Sequence, residues 1–209
     1  MNIDNIEVNT QSSIKITLDK VLYFDPFKIE NSVNDADIIF ITHEHYDHFD
    51  IESINKVKND NTIIVAPKSM EESIKEIEFK EYVLLSPDDS SEIYDIKIKA
   101  VRAYNNDKPF HPKSNDWLGY VVEFNNTSYY IAGDTDKTED NEIVKCDVAL
   151  VPIGGHFTMD VMEASELLRM INPKIVIPTH YGSIVGTTND GKKLKDILSD
   201  TEIEVIEKL

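Results

Sequence analysis

THEHYDH, residues 42–48, follows the apolar run Asp37-Ile38-Ile39-Phe40-Ile41 without a break. His43, Glu44, His45, Asp47 and His48 crowd three imidazoles and two carboxylates into six residues, more polar groups than a core tolerates unpaired. Neutral imidazole and carboxylate are donors that zinc and similar divalent ions take. His43 and His45 stand two apart while Asp47 and His48 are adjacent, so a tight turn can aim the first pair at one ion and the second pair at another.

Two further ligand-type residues share this context. Tyr130-Ile131-Ala132-Gly133 leads to Asp134, and Ile177-Pro178-Thr179 leads to His180. Strand ends deliver side chains to one rim while the strands stay rigid, which suits a site of fixed geometry. The three segments are therefore expected to meet.

Around them the chain reads as strands first and then strands alternating with helices. Ile3 to Val8, Ile14 to Leu18 and Val21 to Phe24 read as a meander, closed by the turn formers Asp25-Pro26. Asp37 to Ile41, Thr62 to Ala66 and Tyr82 to Leu85 read as strands, with helices from Asp50 to Lys58 and from Pro67 or Lys68 between them. Ile96 to Ala103 alternates as a half-buried strand, and Tyr120 to Phe124 and Ser128 to Ile131 flank the hairpin dipeptide Asn125-Asn126. Val148 to Ile153 is a buried strand. Val161, Ala164, Leu168 and Ile171 recur at helical spacing behind a cap at Thr158 or Asp160, and Asn172-Pro173 stops that helix. Ile175 to Pro178, a helix over Lys192 to Leu198 and a strand over Ile203 to Ile206 complete the series. Mixed strands and helices without a glycine-rich phosphate loop point to an α/β sandwich, sheets covered by helices.

Composition narrows the function. At 209 residues, 41% hydrophobic and 29% charged, the chain is expected to form a single domain over residues 1–209. The 39 acids against 21 bases give a formal charge of −18, and with no basic run a nucleic-acid partner is not expected. MNIDNIEVNTQSS lacks the basic start and apolar stretch of a signal peptide, and no run approaches membrane-spanning length. A cytoplasmic protein without a membrane partner is the expectation. The single cysteine, Cys146 in VKCDVALV, reads as a small buried hydrophobe rather than a nucleophile.

His43-x-His45-x-Asp47-His48, then Gly133-Asp134, then His180 in PTHYG, resembles the metallo-β-lactamase-fold superfamily of binuclear metallohydrolases. IAGDTD at 131–136, VPIGGHFTMD at 151–160 and IPTHYG at 177–182 are similar to the branch of metal-dependent hydrolases related to L-ascorbate-6-phosphate lactonase. The resemblance implies a four-layered αβ/βα sandwich, two mixed β-sheets flanked by helices, with metals at one edge of the sheets. It implies that His43 and His45 bind one ion, that Asp47 and His48 bind a second with His180, and that Asp134 bridges both. Related hydrolases place a third histidine directly after a strand, where this chain has Ala103-Tyr104-Asn105. His111 in KPFHPKSND is the nearest residue able to take that place.

His156, after Gly154-Gly155, is the competing histidine and reads as a substrate contact or proton donor. Tyr104, Trp117 and Tyr181 are candidates to wall the pocket, although aromatics near a core more often serve packing. The cofactors are expected to be two divalent ions, zinc first, with manganese, iron and nickel compatible with the same donors. Two cations sharing a hydroxide lower the pKa of water and stabilise charge on the attacked oxygen, with Asp47 orienting or deprotonating that water as the catalytic group. The expected function is hydrolysis of an ester-like bond, a lactone or a phosphodiester, in a small cytoplasmic metabolite; a homo-oligomer is compatible with this. The alternatives are a redox di-iron protein, which commonly carries glutamate where this chain has His45, and a non-catalytic metal-binding protein, which loss of a ligand would betray.

Overall fold

Antiparallel strands open each of two sheets, and parallel strands complete them. In the computed structural model, which describes residues 3–209, the chain divides into two compact units, Met1–Ser86 and Pro87–Leu209. Each holds one sheet.

In the first unit β1 (Ile6–Thr10), β2 (Ser13–Thr17) and β3 (Val21–Phe24) form the expected meander, with Ile16 opposite Ile6 and Leu22. β4 (Ile38–Phe40), β5 (Ile63–Pro67) and β6 (Glu81–Leu85) extend it in parallel, in the order β1-β2-β3-β4-β5-β6. Parallel strands need crossovers. These are α1 (Ile51–Val57), capped by Asp50, and a 3-10 turn over Lys68–Met70 that runs into the single-turn α2 (Glu71–Ile74). Ile54, Val57, Met70 and Ile74 pack on Ile39, Ile41, Ile64 and Ala66. The alternate residues Leu22, Phe24, Ile38 and Phe40 are buried as well, which is why β4 and β5 read as unbroken apolar runs.

The second unit orders its strands β13-β12-β11-β10-β9-β8-β7. β7 (Ser90–Ile93), β8 (Ile96–Arg102), β9 (Leu118–Phe124) and β10 (Thr127–Ile131) are antiparallel, while β11 (Val148–Pro152), β12 (Ile175–Thr179) and β13 (Glu204–Val205) run parallel to β10. Asn125 and Asn126 both take positive φ, 49° and 61°, as the two-residue hairpin requires. The cap of α3 (Val161–Ile171) is Asp160, whose carboxylate accepts from the Glu163 N–H at 2.9 Å. Asn172, at φ 48°, ends that helix ahead of Pro173. Ala164, Leu167, Leu168 and Ile171, with Leu194 of α4 (Asp190–Ile197), cover Tyr130, Ala149, Val151 and Val176. Cys146 packs against the same cluster, and its thiol is pushed up to about 12, first by burial and then by Asp147.

The architecture is therefore two mixed sheets flanked by helices, as expected from the sequence. Three local readings change. β1 begins at Ile6 rather than Ile3, because the Ile6 N–H turns back to the Ile3 carbonyl at 3.1 Å. The helix expected at Pro67 or Lys68 starts instead as a 3-10 turn. β7 was not foreseen: it is an edge strand of sequence SSEI in which only Ile93 is buried, so it carries no apolar pattern. Among the described residues no helix is long and apolar enough to cross a membrane.

Asp147 joins the starts of three strands. Its carboxylate accepts from Ser128 N–H and Oγ–H, both at 3.0 Å, and from Lys174 Nζ at 2.7 Å, and Lys174 above all holds its carboxyl below the usual carboxylate range. A depressed folded pKa stabilises the fold above the unfolded value of about 3.9, and this contribution is lost as pH falls through the lower folded value. Asp147→Asn should thus flatten the acid limb of urea-measured stability below about pH 4; an acid limb as steep as wild type would assign the loss to other groups.

Candidate metal centre

In the first unit the site is built at the ends of the parallel strands β3 and β4. Asp25 follows β3 in the left-handed region at φ 45°, and its N–H bonds the Phe40 carbonyl at 2.9 Å. Its fully buried carboxylate accepts from the Thr42 N–H at 2.8 Å, the Thr42 hydroxyl at 2.7 Å and His48 Nδ1 at 2.7 Å. Burial pushes this carboxyl upward, against the opposing pull of His48 and Thr42. Thr42 has one hydroxyl proton and gives it to Asp25, so its oxygen accepts from His43 Nδ1 at 2.9 Å. In both rings the proton then sits on Nδ1, and Nε2 carries the lone pair that a metal requires.

The turn that follows is closed by the N–H groups of His48 and Phe49, which bond the His45 carbonyl at 2.9 and 2.8 Å. It sets His45 Nδ1 3.1 Å from His43 Nε2 and Asp47 Oδ2 3.8 Å from His48 Nε2. Two nitrogens each about 2.05 Å from a tetrahedral zinc lie about 3.3 Å apart, so the His43–His45 spacing fits two ligands of one ion. Glu44 and Tyr46 point into solvent as spacers.

In the second unit the C-terminal ends of β10, β11 and β12 lie at one edge because the strands are parallel. Asp134 follows β10 through Gly133 at φ 64°, and His180 follows β12 at φ 55°. Gly154 leaves room for that turn, since a Cβ there would lie 2.2 Å from the His180 carbonyl oxygen. Asp134 Oδ2 stands 3.1 Å from His180 Nε2 and 3.5 Å from His111 Nε2.

The displaced histidine has a structural explanation. The loop after β8 closes on itself, with the Asn105 N–H bonding the His111 carbonyl at 2.8 Å and the His111 N–H bonding Asn105 Oδ1 at 3.1 Å. His111 thereby returns to the strand end six residues late. Its Nδ1 lies 2.9 Å from the same Asn105 oxygen, which can only accept, so Nε2 is again the lone-pair nitrogen.

The structure thus gathers His43, His45, Asp47 and His48 in one unit and His111, Asp134 and His180 in the other. His156 is exposed at φ 42°, with its ring against Phe157 and Phe110 at centroid distances of 4.4 and 5.2 Å. Tyr181 belongs to the core cluster of the second unit, close to Gly191 of α4. Trp117 meets the His111 ring edge-on at 5.6 Å, and Tyr104 is covered by Lys113, whose Nζ lies 4.6 Å from the ring centre. Sequence reasoning missed Asp25, Thr42 and Asn105. Asp25 follows a strand just as His43 does, and that shared placement was a usable signal.

The beta-lactamase superfamily domain profile matches residues 6–181 of the chain. The chain belongs to the beta-lactamase superfamily. Within it, a UPF0173 metal-dependent hydrolase of Thermoplasma acidophilum is 32% identical over 199 residues, covering 90% of this chain and 87% of that protein. Another, from Nanoarchaeum equitans, is 35% identical over 179 residues, covering 78% and 76%. A crystal structure from Parabacteroides distasonis, described as a candidate metal-dependent hydrolase, superposes with a TM-score of 0.84 at 32% identity, covering 98% of this chain and 92% of that one. This member of the UPF0173 metal-dependent hydrolases carries, in each of its units, a donor set of imidazole and carboxylate suited to divalent metal.

If Thr42 fixes the His43 tautomer, Thr42→Val should weaken zinc binding by about 10–100-fold in equilibrium dialysis while the protein still melts cooperatively. Wild-type affinity in a folded Thr42→Val variant would remove the hydroxyl from the site's machinery.

Proposed function

We propose that the two donor sets serve one binuclear centre, with His43, His45 and His111 on one ion, Asp47, His48 and His180 on the other, and Asp134 between them. The observation that carries this is the matched preparation of both sets: His43, His48 and His111 each have Nδ1 held by an acceptor, leaving Nε2 to ligate. The order of the motifs along the chain and membership in the superfamily support the same assignment.

Two divalent ions, zinc foremost, would supply an activated water at neutral pH and a Lewis acid for the attacked oxygen. Asp47 then has two tasks, as ligand and as the carboxylate that orients or takes the water proton. His156, exposed with its ring edge-on to Phe157 and tilted against Phe110, is assigned to substrate contact. The bond cleaved is ester-like, a lactone or a phosphodiester, in a small cytoplasmic metabolite, in keeping with the motif likeness to the lactonase branch. A charge of −18 argues against a polyanionic substrate such as nucleic acid.

His111→Ala tests the assignment. Bound metal should fall from two ions per chain to one, and turnover of whichever substrate is found in a panel of lactones, phosphodiesters, thioesters and amides should fall by at least about 100-fold. Unchanged stoichiometry with unchanged turnover would remove His111 from the centre, and a metal-loaded wild type inert toward the whole panel would refute ester-like hydrolysis.

A further inference from the structure

One buried carboxylate gathers the loops that follow β8, β10 and β11. Asp136, two residues beyond Asp134, is 3% exposed. Its Oδ1 accepts from Asn105 Nδ2 at 3.0 Å and from Lys108 Nζ, and its Oδ2 accepts from the Asn106 N–H at 3.0 Å. Its own N–H bonds the Tyr104 carbonyl at 2.9 Å. Lys108 Nζ reaches on to the Thr158 carbonyl at 2.9 Å, with Glu163 Oε2 3.7 Å away.

Such a cluster would serve as a loop staple even without a metal nearby. Asn105 gives it a second consequence. The amide oxygen of Asn105 faces His111 N–H and Nδ1, while its amide nitrogen donates to Asp136 Oδ1 and to the Phe157 carbonyl at 2.9 Å. A flipped amide would set its carbonyl against two acceptors and its NH2 against the His111 N–H, so only the observed orientation is satisfied. The negative charge on Asp136 thus selects the orientation of Asn105. That orientation in turn places the proton on His111 Nδ1 and leaves the lone pair on Nε2.

We propose that Asp136, neutralised by Lys108, is a positioning residue that acts through Asn105 to set the tautomer and direction of His111. This rests on the reading of His111 as a metal ligand given above. It also accounts for Asn105 at the strand end: the residue there orients the ligand in place of being one. Neighbours of this kind that hold a ligating histidine typically alter metal affinity by about 10–100-fold when lost.

The test uses full-length protein stripped of metal, titrated with Zn2+ against a chromophoric chelator, and in parallel loaded with Co2+ for its visible spectrum. Asp136→Asn should weaken one ion by about 10–100-fold, leave the other near wild type and shift the cobalt bands. Lys108→Met should move both readouts in the same direction, and Lys108→Arg should restore them. Wild-type affinities and an unchanged cobalt spectrum in folded Asp136→Asn overturn the proposal. If Asp136→Asn does not fold, Lys108→Met decides alone, and wild-type values there overturn it equally. A wild type that binds a single ion contradicts the binuclear reading, whereas equality of variant and wild type contradicts the role of Asp136, so the two failures are distinct.

Discussion

An imidazole ligates metal well in one tautomer and one direction, and the acceptor behind each ring is the constraint around which both donor sets are arranged. Thr42 stands behind His43, Asp25 behind His48 and Asn105 behind His111. Each acceptor is itself buried and held: Asp25 by the backbone and hydroxyl of Thr42, Asn105 by Asp136 and Phe157. Buried polar networks of this kind stabilise only when every member is satisfied. The same bonds that set the chemistry therefore keep the strand ends in place.

Those strand ends are strained. Asp25, His156 and His180 lie at φ 45°, 42° and 55°, a left-handed backbone that costs non-glycine residues about 1 kcal/mol or more each. Such a conformation persists where its surroundings over-determine it. β4, β11 and β12 supply that rigidity, since every residue in them is buried, and Gly154 supplies a close approach to the His180 carbonyl that no side chain allows. The rigid part of each unit is apolar and carries no chemistry; the chemistry sits on the first residues beyond it.

That division explains what could be read directly from the chain. The apolar strands and the ligand-type residues at their ends are local patterns, so THEHYDH, Asp134 and His180 stood out, as did the hairpin at Asn125-Asn126 and the helix behind Asp160. The orienting residues are legible only through contacts: Asp25 meets His48 from 23 positions away and Asp136 meets Asn105 from 31, and neither residue type is distinctive. His111 was singled out through the family resemblance and its order and spacing before Asp134, while its return to the strand end is a loop closure that leaves no mark on sequence. The polar edge strand β7 escaped for a simpler reason, having almost nothing to bury.

Diffraction from crystals grown with zinc, recorded on both sides of the zinc absorption edge, tests the proposed binuclear centre most directly. Two anomalous peaks per chain are expected, one beside His43, His45 and His111 and one beside Asp47, His48 and His180, with Asp134 touching both. A single peak, or two peaks of which neither is in contact with His111, would contradict the binuclear centre proposed above.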